Sequence, residues 1–561
     1  LPQRVIPGSA PRERPAMLKW LSDIGKKADH PMYNVEAAGK LLAELPPDHG
    51  GAFEEIISSL ETVAATPGFP LSDRIGVLKL LDETGQKREA AALAEFLRND
   101  KLNEFQRRQL WQVMVDFWEH VSAAYRVCLQ EIAQASKPGE PAHPERTLLL
   151  VRALRALSYE GKTLLLRYLP VKPRIWQDLA QLLGQAEKEH AVAELAKAYA
   201  SDTLHTNPRQ EFLRLPMMVA AYPESKRTLE IELTARVIAR VAGGFALHLQ
   251  PDAGCNFHFD LARPAGPVRN SPDAPASATM RFFGAAQAAV NIQEMVDRYT
   301  AHPAEPEKRF GNDYSIEEKL VVLKRLLLFW GESPPKQRWP RVKIEAKIKV
   351  AHGFSSASEL VTRIEFSGMA EMSADQRVKV KQQTGIALQA EESSAVIAEW
   401  MERDGSTWGV GVDIPRQDEA WARIGSLCTL QAAGQKAWWL GAIRRMQRDA
   451  HEHVHVGVEI LSKKPLSVYL RGIGEGAERA ENWQTSSGSF RFTFLNALIL
   501  GESAVTGGNP EILLKRDGFN PGIQYEVLMG GETPHVRLEE LVERGADYDR
   551  VRVAWLKGAA A

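Results

Sequence analysis

The spacing of apolar residues changes character along this chain, and the changes divide it. Up to about residue 225 the period is helical. Leu110, Met114, Phe117, Trp118, Val121, Tyr125, Cys128 and Ile132 recur in steps of three and four, which places them on one face of a helix. A second segment opens at Pro173 and runs through Ile175, Trp176, Leu179, Leu182 and Leu183, with Leu195 and Tyr199 continuing the pattern. Asn207-Pro208 reads as an N-cap followed by proline in the first helical position. Several such helices joined by short polar breaks predict an antiparallel bundle or solenoid over 1–225. No fixed repeat period is found.

Residues 226–331 read as a mixed α/β domain. A helix over Leu229–Val241 leads into Phe245–Gln250. The turn Pro251-Asp252-Ala253-Gly254 joins that run to Cys255–Leu261, which predicts a β-hairpin. A Pro/Ala/Ser/Gly-rich loop follows over Ala262–Ser277, then two helices at about 285–301 and 316–330. Ser315 and Glu318 form a capping box at the second.

Beyond Trp330 the period drops to two. Val342, Ile344, Ala346, Ile348 and Val350 alternate with Lys343, Glu345, Lys347 and Lys349, the pattern of a half-buried strand. Further strands are predicted at Trp408–Ile414, Ser426–Leu430, Trp438–Arg444, His453–Ile460 and Leu466–Arg471. Many short strands in series predict a small antiparallel barrel over 332–465. A β-rich extension over 466–561 carries strands at Phe490–Leu500, Glu511–Lys515, Gln524–Met529 and Arg550–Trp555. The fold class expected is multidomain α+β, helical first and β last.

Composition narrows the function. At ~100–200 residues per domain, 561 residues predict three or four domains. Seventy basic against 71 acidic residues leave a net charge of −1, which excludes bulk nucleic-acid binding by charge. The three cysteines, Cys128, Cys255 and Cys428, lie far apart, so no disulfide framework or cysteine zinc ribbon is expected. No apolar run reaches about 18 residues, so no membrane span is expected. Leu1–Arg14 is Pro- and Arg-rich without an apolar centre, unlike a secretory signal, and a cytoplasmic location is expected.

One ordered set of motifs carries chemistry. Lys336-Gln337-Arg338-Trp339-Pro340-Arg341 precedes the first barrel strand. A later turn, Asp404-Gly405-Ser406-Thr407-Trp408-Gly409, reads D-x-S-x-x-G. Then come Trp439-Leu440-Gly441-Ala442-Ile443-Arg444-Arg445 and Val456-Gly457-Val458-Glu459-Ile460-Leu461. Over roughly 334–465 this order resembles the PilZ family of bacterial cyclic di-GMP receptors. That family has a basic RxxxR stretch entering a β-barrel, then D/N-x-S-x-x-G, then strands of these two kinds.

The resemblance implies a PilZ-like barrel and a non-enzymatic second-messenger receptor. It implies no resident cofactor, cyclic di-GMP as ligand, and Arg341, Asp404, Ser406 and Gly409 as ligand residues. The chemistry suits a guanine dinucleotide. A guanidinium bonds phosphate or the guanine O6/N7 edge bidentately. A carboxylate accepts from guanine N1–H and N2–H₂, and a glycine admits close approach.

Two departures stand out. Gln337 occupies the first arginine position of RxxxR, with Lys336 and Arg338 as flanking substitutes. A lost charge-assisted bond, roughly 1.5–3 kcal/mol, weakens binding about tenfold or more. Arg341 and Asp404 also lie far apart in sequence, which implies an insertion within Ser367–Ala398.

Alternatives remain open. The same barrel, degenerate, would serve a multidomain scaffold that binds a protein or another nucleotide. The helical region is expected to meet a protein partner. His451-Glu452-His453-Val454-His455 matches H-E-x-x-H, but the alternation after it reads as strand. There, residues i and i+4 lie about 13 Å apart, too far to share one zinc ion. His248, His258 and Asp260 on the predicted hairpin read as strand-face polar residues. Gly161-Lys162-Thr163 lacks the first glycine of a P-loop, since Ala156 stands there. Of the paired Trp438 and Trp439, one is expected in the core and the other under a neighbouring domain.

Overall fold

The computed structural model describes residues 29–137, 139–271, 277–303, 310–335, 338–367, 395–473, 495–501, 503, 505–506, 508–528 and 534–556. Helices dominate the first part: α1 (Val35–Leu42), α2 (His49–Ala65), α3 (Leu71–Arg98), α4 (Glu104–Ala135), α5 (Arg146–Leu165), α6 (Pro173–Lys188), α7 (Pro208–Val219) and α8 (Thr228–Val241). The apolar stripe of α4 is buried from Met114 to Ile132. Asn207 caps α7 by accepting from the Gln210 N–H at 3.0 Å, ahead of Pro208.

Helix α5 runs through the middle and is buried nearly all round. Its charged residues are therefore partnered. Arg155 pairs with the buried Glu211 at 2.7 Å, Lys162 with Glu232 at 3.0 Å, and Arg152 with the buried Asp82 at 3.3 Å. Gly161-Lys162-Thr163 lies within this helix.

Two expectations fail here. The helical pattern does not continue to Tyr199: α6 ends at Lys188, His190 turns through a left-handed φ of 56°, and Leu195 is exposed. Tyr199 is buried for another reason, since its hydroxyl donates to Asp82 at 3.1 Å. The predicted hairpin does not form either. Strands β1 (Ala246–His248), β2 (Phe257–Asp260), β3 (Val268–Arg269) and β4 (Met280–Gly284) order as β1-β4-β2-β3. Strand β4 inserts because Phe283 then pairs with both Leu247 and Phe257, its ring stacked on Phe257 at 5.8 Å. Gly284 makes room: a Cβ there would lie 1.9 Å from the Gly254 carbonyl oxygen.

Helices α9 (Gln287–Ala301) and α10 (Ile316–Trp330) follow, and Ser315 and Glu318 form the expected capping box. One hydrophobic core runs from Met32 to Trp330 and takes in the helices and the small sheet together.

The rest is two closed antiparallel barrels. The first orders its strands β10-β7-β6-β5-β8-β9: β5 (Val342–His352), β6 (Ile397–Ser406), β7 (Gly409–Ile414), β8 (Leu427–Ala432), β9 (Trp439–Arg448) and β10 (Val454–Ser462). The expected extension closes on itself as β11-β12-β13-β16-β15-β14: β11 (Lys464–Ile473), β12 (Leu495–Gly501), β13 (Glu511–Lys515), β14 (Gln524–Leu528), β15 (His535–Arg544) and β16 (Tyr548–Leu556). Strands β6 and β15 are additions to the sequence reading.

So is helix α11 (Phe354–Ser367), which lies between β5 and β6 and accounts for part of the sequence separating Arg341 from Asp404. Residues 368–394, within the expected insertion, lie outside the described residues. Helix α11 wedges between the barrels. Phe354, Ala357 and Val361 share a core with Leu427, Leu440, Ala442 and Leu461 of the first barrel and Leu498, Leu513 and Tyr548 of the second. Trp438 is buried with Ala351 and Leu360, while Trp439 stays half-buried with the Lys463 ammonium over its ring.

The first barrel docks on the helices through its β9–β10 hairpin. Arg448 N–H donates to the Tyr168 carbonyl at 2.8 Å, and Arg108 pairs with Glu452 at 2.8 Å. Among the described residues, no helix is long and apolar enough to cross a membrane.

Candidate binding face on the first barrel

Strand register decides which side chains meet. Strands β6 and β7 pair Glu402 with Val412, then Asp404 with Gly411, so Arg403 is an extra, bulged residue. Without it, Asp404 would share the inward face of Trp400 and Glu402, because side chains alternate with period two. The bulge turns Asp404 outward. A matching bulge in β5 keeps Lys343 opposite Asp404.

The D-x-S-x-x-G stretch is thus not a free turn. It is the end of β6, a two-residue hairpin at Thr407-Trp408, and the start of β7.

On that outer face Arg341 ion-pairs with Asp404, 63 residues on. The Ser406 hydroxyl donates to the Gly409 carbonyl at 3.3 Å. A Cβ at Gly409 would lie 3.2 Å from Ser406 Oγ and 3.5 Å from an Arg341 guanidinium nitrogen, so the glycine lets the three groups crowd together. Arg341, Asp404, Ser406 and Gly409 therefore form one cluster. Arg338 stands exposed ahead of β5. Lys336 and Gln337 lie outside the described residues.

Sequence reasoning missed four neighbours of this cluster. Gly411 is the most constrained, since a Cβ there would fall 2.4–2.8 Å from the Asp404 carboxyl group. Alternation in Gly409-Val410-Gly411-Val412 was its signal, because small residues at i and i+2 of a strand mark close approach on one face. His455 stands across from Asp404 at 3.8 Å and bonds Asp413 through Nδ1 at 2.9 Å. Arg445 lies further along the same row. Glu402 lies inside the barrel beneath. Burial and then the Asp404 charge push its carboxyl pKa above the usual range. Burial works the same way on Asp413, but hydrogen bonds from His455 and Arg403 outweigh it and hold that carboxylate low.

A cavity of about 710 Å³ adjoins the cluster, with Trp400, Arg403, Asp413, Gln447, His453 and His455 among its walls. Arg341, Asp404, Ser406 and Gly409 stand beside it and not in it. Its charges are largely matched, Arg403 with Asp413 and Arg448 with Glu419, and His453 shares a hydrogen bond with Asp449.

Zinc-protease geometry is absent from the H-E-x-x-H stretch. His451 sits in the β9–β10 turn, Glu452 takes a left-handed φ of 63°, and His455 is in β10. Among the described residues no group of His, Cys, Asp or Glu is arranged to hold a metal ion. His258 bonds Asn270 at 2.8 Å and His248 faces Asp252 at 3.6 Å, so these two histidines have separate partners.

No curated protein matches this chain. Residues 36–252, from α1 to just past β1, match the family model described as the cyclic-di-GMP receptor FimW, N-terminal domain.

Proposed function

We propose that the chain is a non-enzymatic cyclic di-GMP receptor. The first barrel, a PilZ-like barrel, takes the nucleotide, and binding shifts how the barrel sits against the helical region and its protein partner. One observation carries the reading: Arg341 and Asp404, brought together from distant parts of the sequence, meet beside Ser406 and Gly409 on one exposed face. The family match supports it independently, because it falls on the helices and not on the barrel.

In the free protein Arg341 and Asp404 satisfy each other. Their pair is partly exposed, so opening it costs only about 0–1 kcal/mol. The guanidinium then turns to a phosphate or to the guanine O6/N7 edge, and the carboxylate accepts from guanine N1–H and N2–H₂. A shift in domain arrangement requires different affinities of the nucleotide for the two arrangements.

Calorimetric titration of the folded full chain with cyclic di-GMP tests this. Binding is expected, weakened at least about tenfold by Arg341→Ala and by Asp404→Ala, the scale of one charge-assisted bond. No heat at high micromolar nucleotide refutes the reading.

A second reading, a scaffold with a degenerate barrel, is favoured by Gln337 in the first arginine position. A thermal-shift screen across cyclic and linear nucleotides separates the two: stabilisation by another nucleotide, or by none, supports the scaffold.

A further inference from the structure

Strand register sets out a row across the outer face of the first barrel. Asp404 of β6 pairs with Gly411 of β7, Gly411 with Gly457 of β10, and Gly457 with Arg445 of β9. All four face the same way, because direct partners share a face and their neighbours Val412, Val456 and Met446 are buried. The row is therefore a carboxylate, two positions with no side chain, and a guanidinium. Asp404 and Arg445 stand three interstrand steps apart, about 14 Å between backbones. The gap is not empty: the Asp404 carboxyl group folds over Gly411, and both glycines are buried beneath the side chains around them. A Cβ at Gly457 would come 3.8 Å from Arg341 and 3.3 Å from the Arg445 Cβ, so both arginines border the two-glycine strip.

Arg445 is half-exposed and reaches off the barrel to Glu224, at 3.9 Å, in the turn after α7. That turn belongs to the helical region, and it is the same contact zone in which Arg448 meets Tyr168.

We propose that Arg445 is a ligand-binding residue for the dinucleotide, at the far end of the two-glycine strip from Asp404, and that Glu224 competes with the ligand for it. The inference rests on the receptor reading. A ligand phosphate or guanine edge at Arg445 removes Glu224's partner and so loosens the barrel from the helices. Conversely, the docked helical region lowers nucleotide affinity.

Calorimetric titration of the full chain with cyclic di-GMP, on the wild type, Asp404→Ala, Arg445→Ala, Arg445→Lys and Glu224→Gln, tests both parts. Arg445→Ala is expected to lose at least about tenfold in affinity, the scale of a charge-assisted bond, with Arg445→Lys intermediate. Glu224→Gln is expected to gain about two- to fivefold, the scale of one exposed ion pair. Thermal melting of each variant confirms that it is folded. If the wild type and Asp404→Ala behave as the receptor reading requires but both Arg445 variants bind like the wild type, this inference falls alone. Unchanged affinity in Glu224→Gln overturns the competition. A wild type that binds nothing overturns the receptor reading, and this inference with it.

Discussion

Gly411 is the residue on which the cluster's geometry turns. Adding one methyl group at this position drives it into the Asp404 carboxyl group at 2.4–2.8 Å. The carboxylate must then leave Arg341, while the backbone, already in a strand, keeps its conformation. Gly411→Ala is therefore expected to weaken nucleotide binding about tenfold while shifting the melting temperature little, as titration and thermal melting on one sample would show.

Lys226 makes a different residue-scale prediction. It is fully buried, its ammonium donates to the Ala221 carbonyl, and it lies 5.1 Å from the Phe329 ring. Burial, with Arg325 adding to it, lowers its pKa from 10.5 to about 7 against the pull of Glu230 and Glu224. Between about pH 7 and 10 the unfolded chain holds this proton and the folded chain does not, so stability rises with pH across that window. Below about pH 7 both states hold it and the slope vanishes. A melting series is expected to show this rise in the wild type and a flatter profile in Lys226→Met.

At the scale of elements, strong periodicity was legible and interrupted periodicity was not. The α4 stripe and strands such as β13 stand as read, because one uninterrupted face meets one core. Strand β6 escaped because Glu399, Glu402, Arg403 and Asp404 crowd its middle, and its bulge changes the face of Asp404 partway. The residues of the candidate site were legible as a set of motifs, but which neighbours complete the cluster depends on register between strands that no local pattern reports. The order β1-β4-β2-β3 was hidden for the same reason: a turn signal says that the chain reverses, not which strand fills the gap.

Helix α11 also escaped, and it is held from outside. The Asp547 carboxylate, just before β16, accepts from the Phe354 N–H at 3.1 Å and the Leu427 N–H at 2.9 Å, one at the start of α11 and one in β8. Asp547→Ala leaves two backbone donors unpaired where the barrels meet. It is expected to destabilise by about 2–4 kcal/mol, read from the midpoint of a urea titration.

For the whole molecule the question is what joins the helices to the barrels. Glu452 is a principal fastener, in a left-handed turn of the β9–β10 hairpin, with Arg108 at 2.8 Å and Arg167 at 3.9 Å. Its substitution by arginine sets three guanidinium groups together, and like charges at that range repel. The hairpin tip should leave the helices while both barrels stay folded, because the core around α11 takes in the other ends of β9 and β10, at Leu440, Ala442 and Leu461, and not the turn at Glu452. Small-angle scattering is expected to show a larger radius of gyration for Glu452→Arg. Binding linkage then fixes the sign of the second readout. If the nucleotide loosens the docked arrangement, docking must oppose the nucleotide by the same factor. Glu452→Arg should therefore bind cyclic di-GMP as tightly as the wild type or several-fold tighter, although it touches neither Asp404 nor Arg341. A several-fold loss of affinity in an expanded, folded variant would mean that the docked helices help to build the nucleotide site, the opposite of a competition for Arg445.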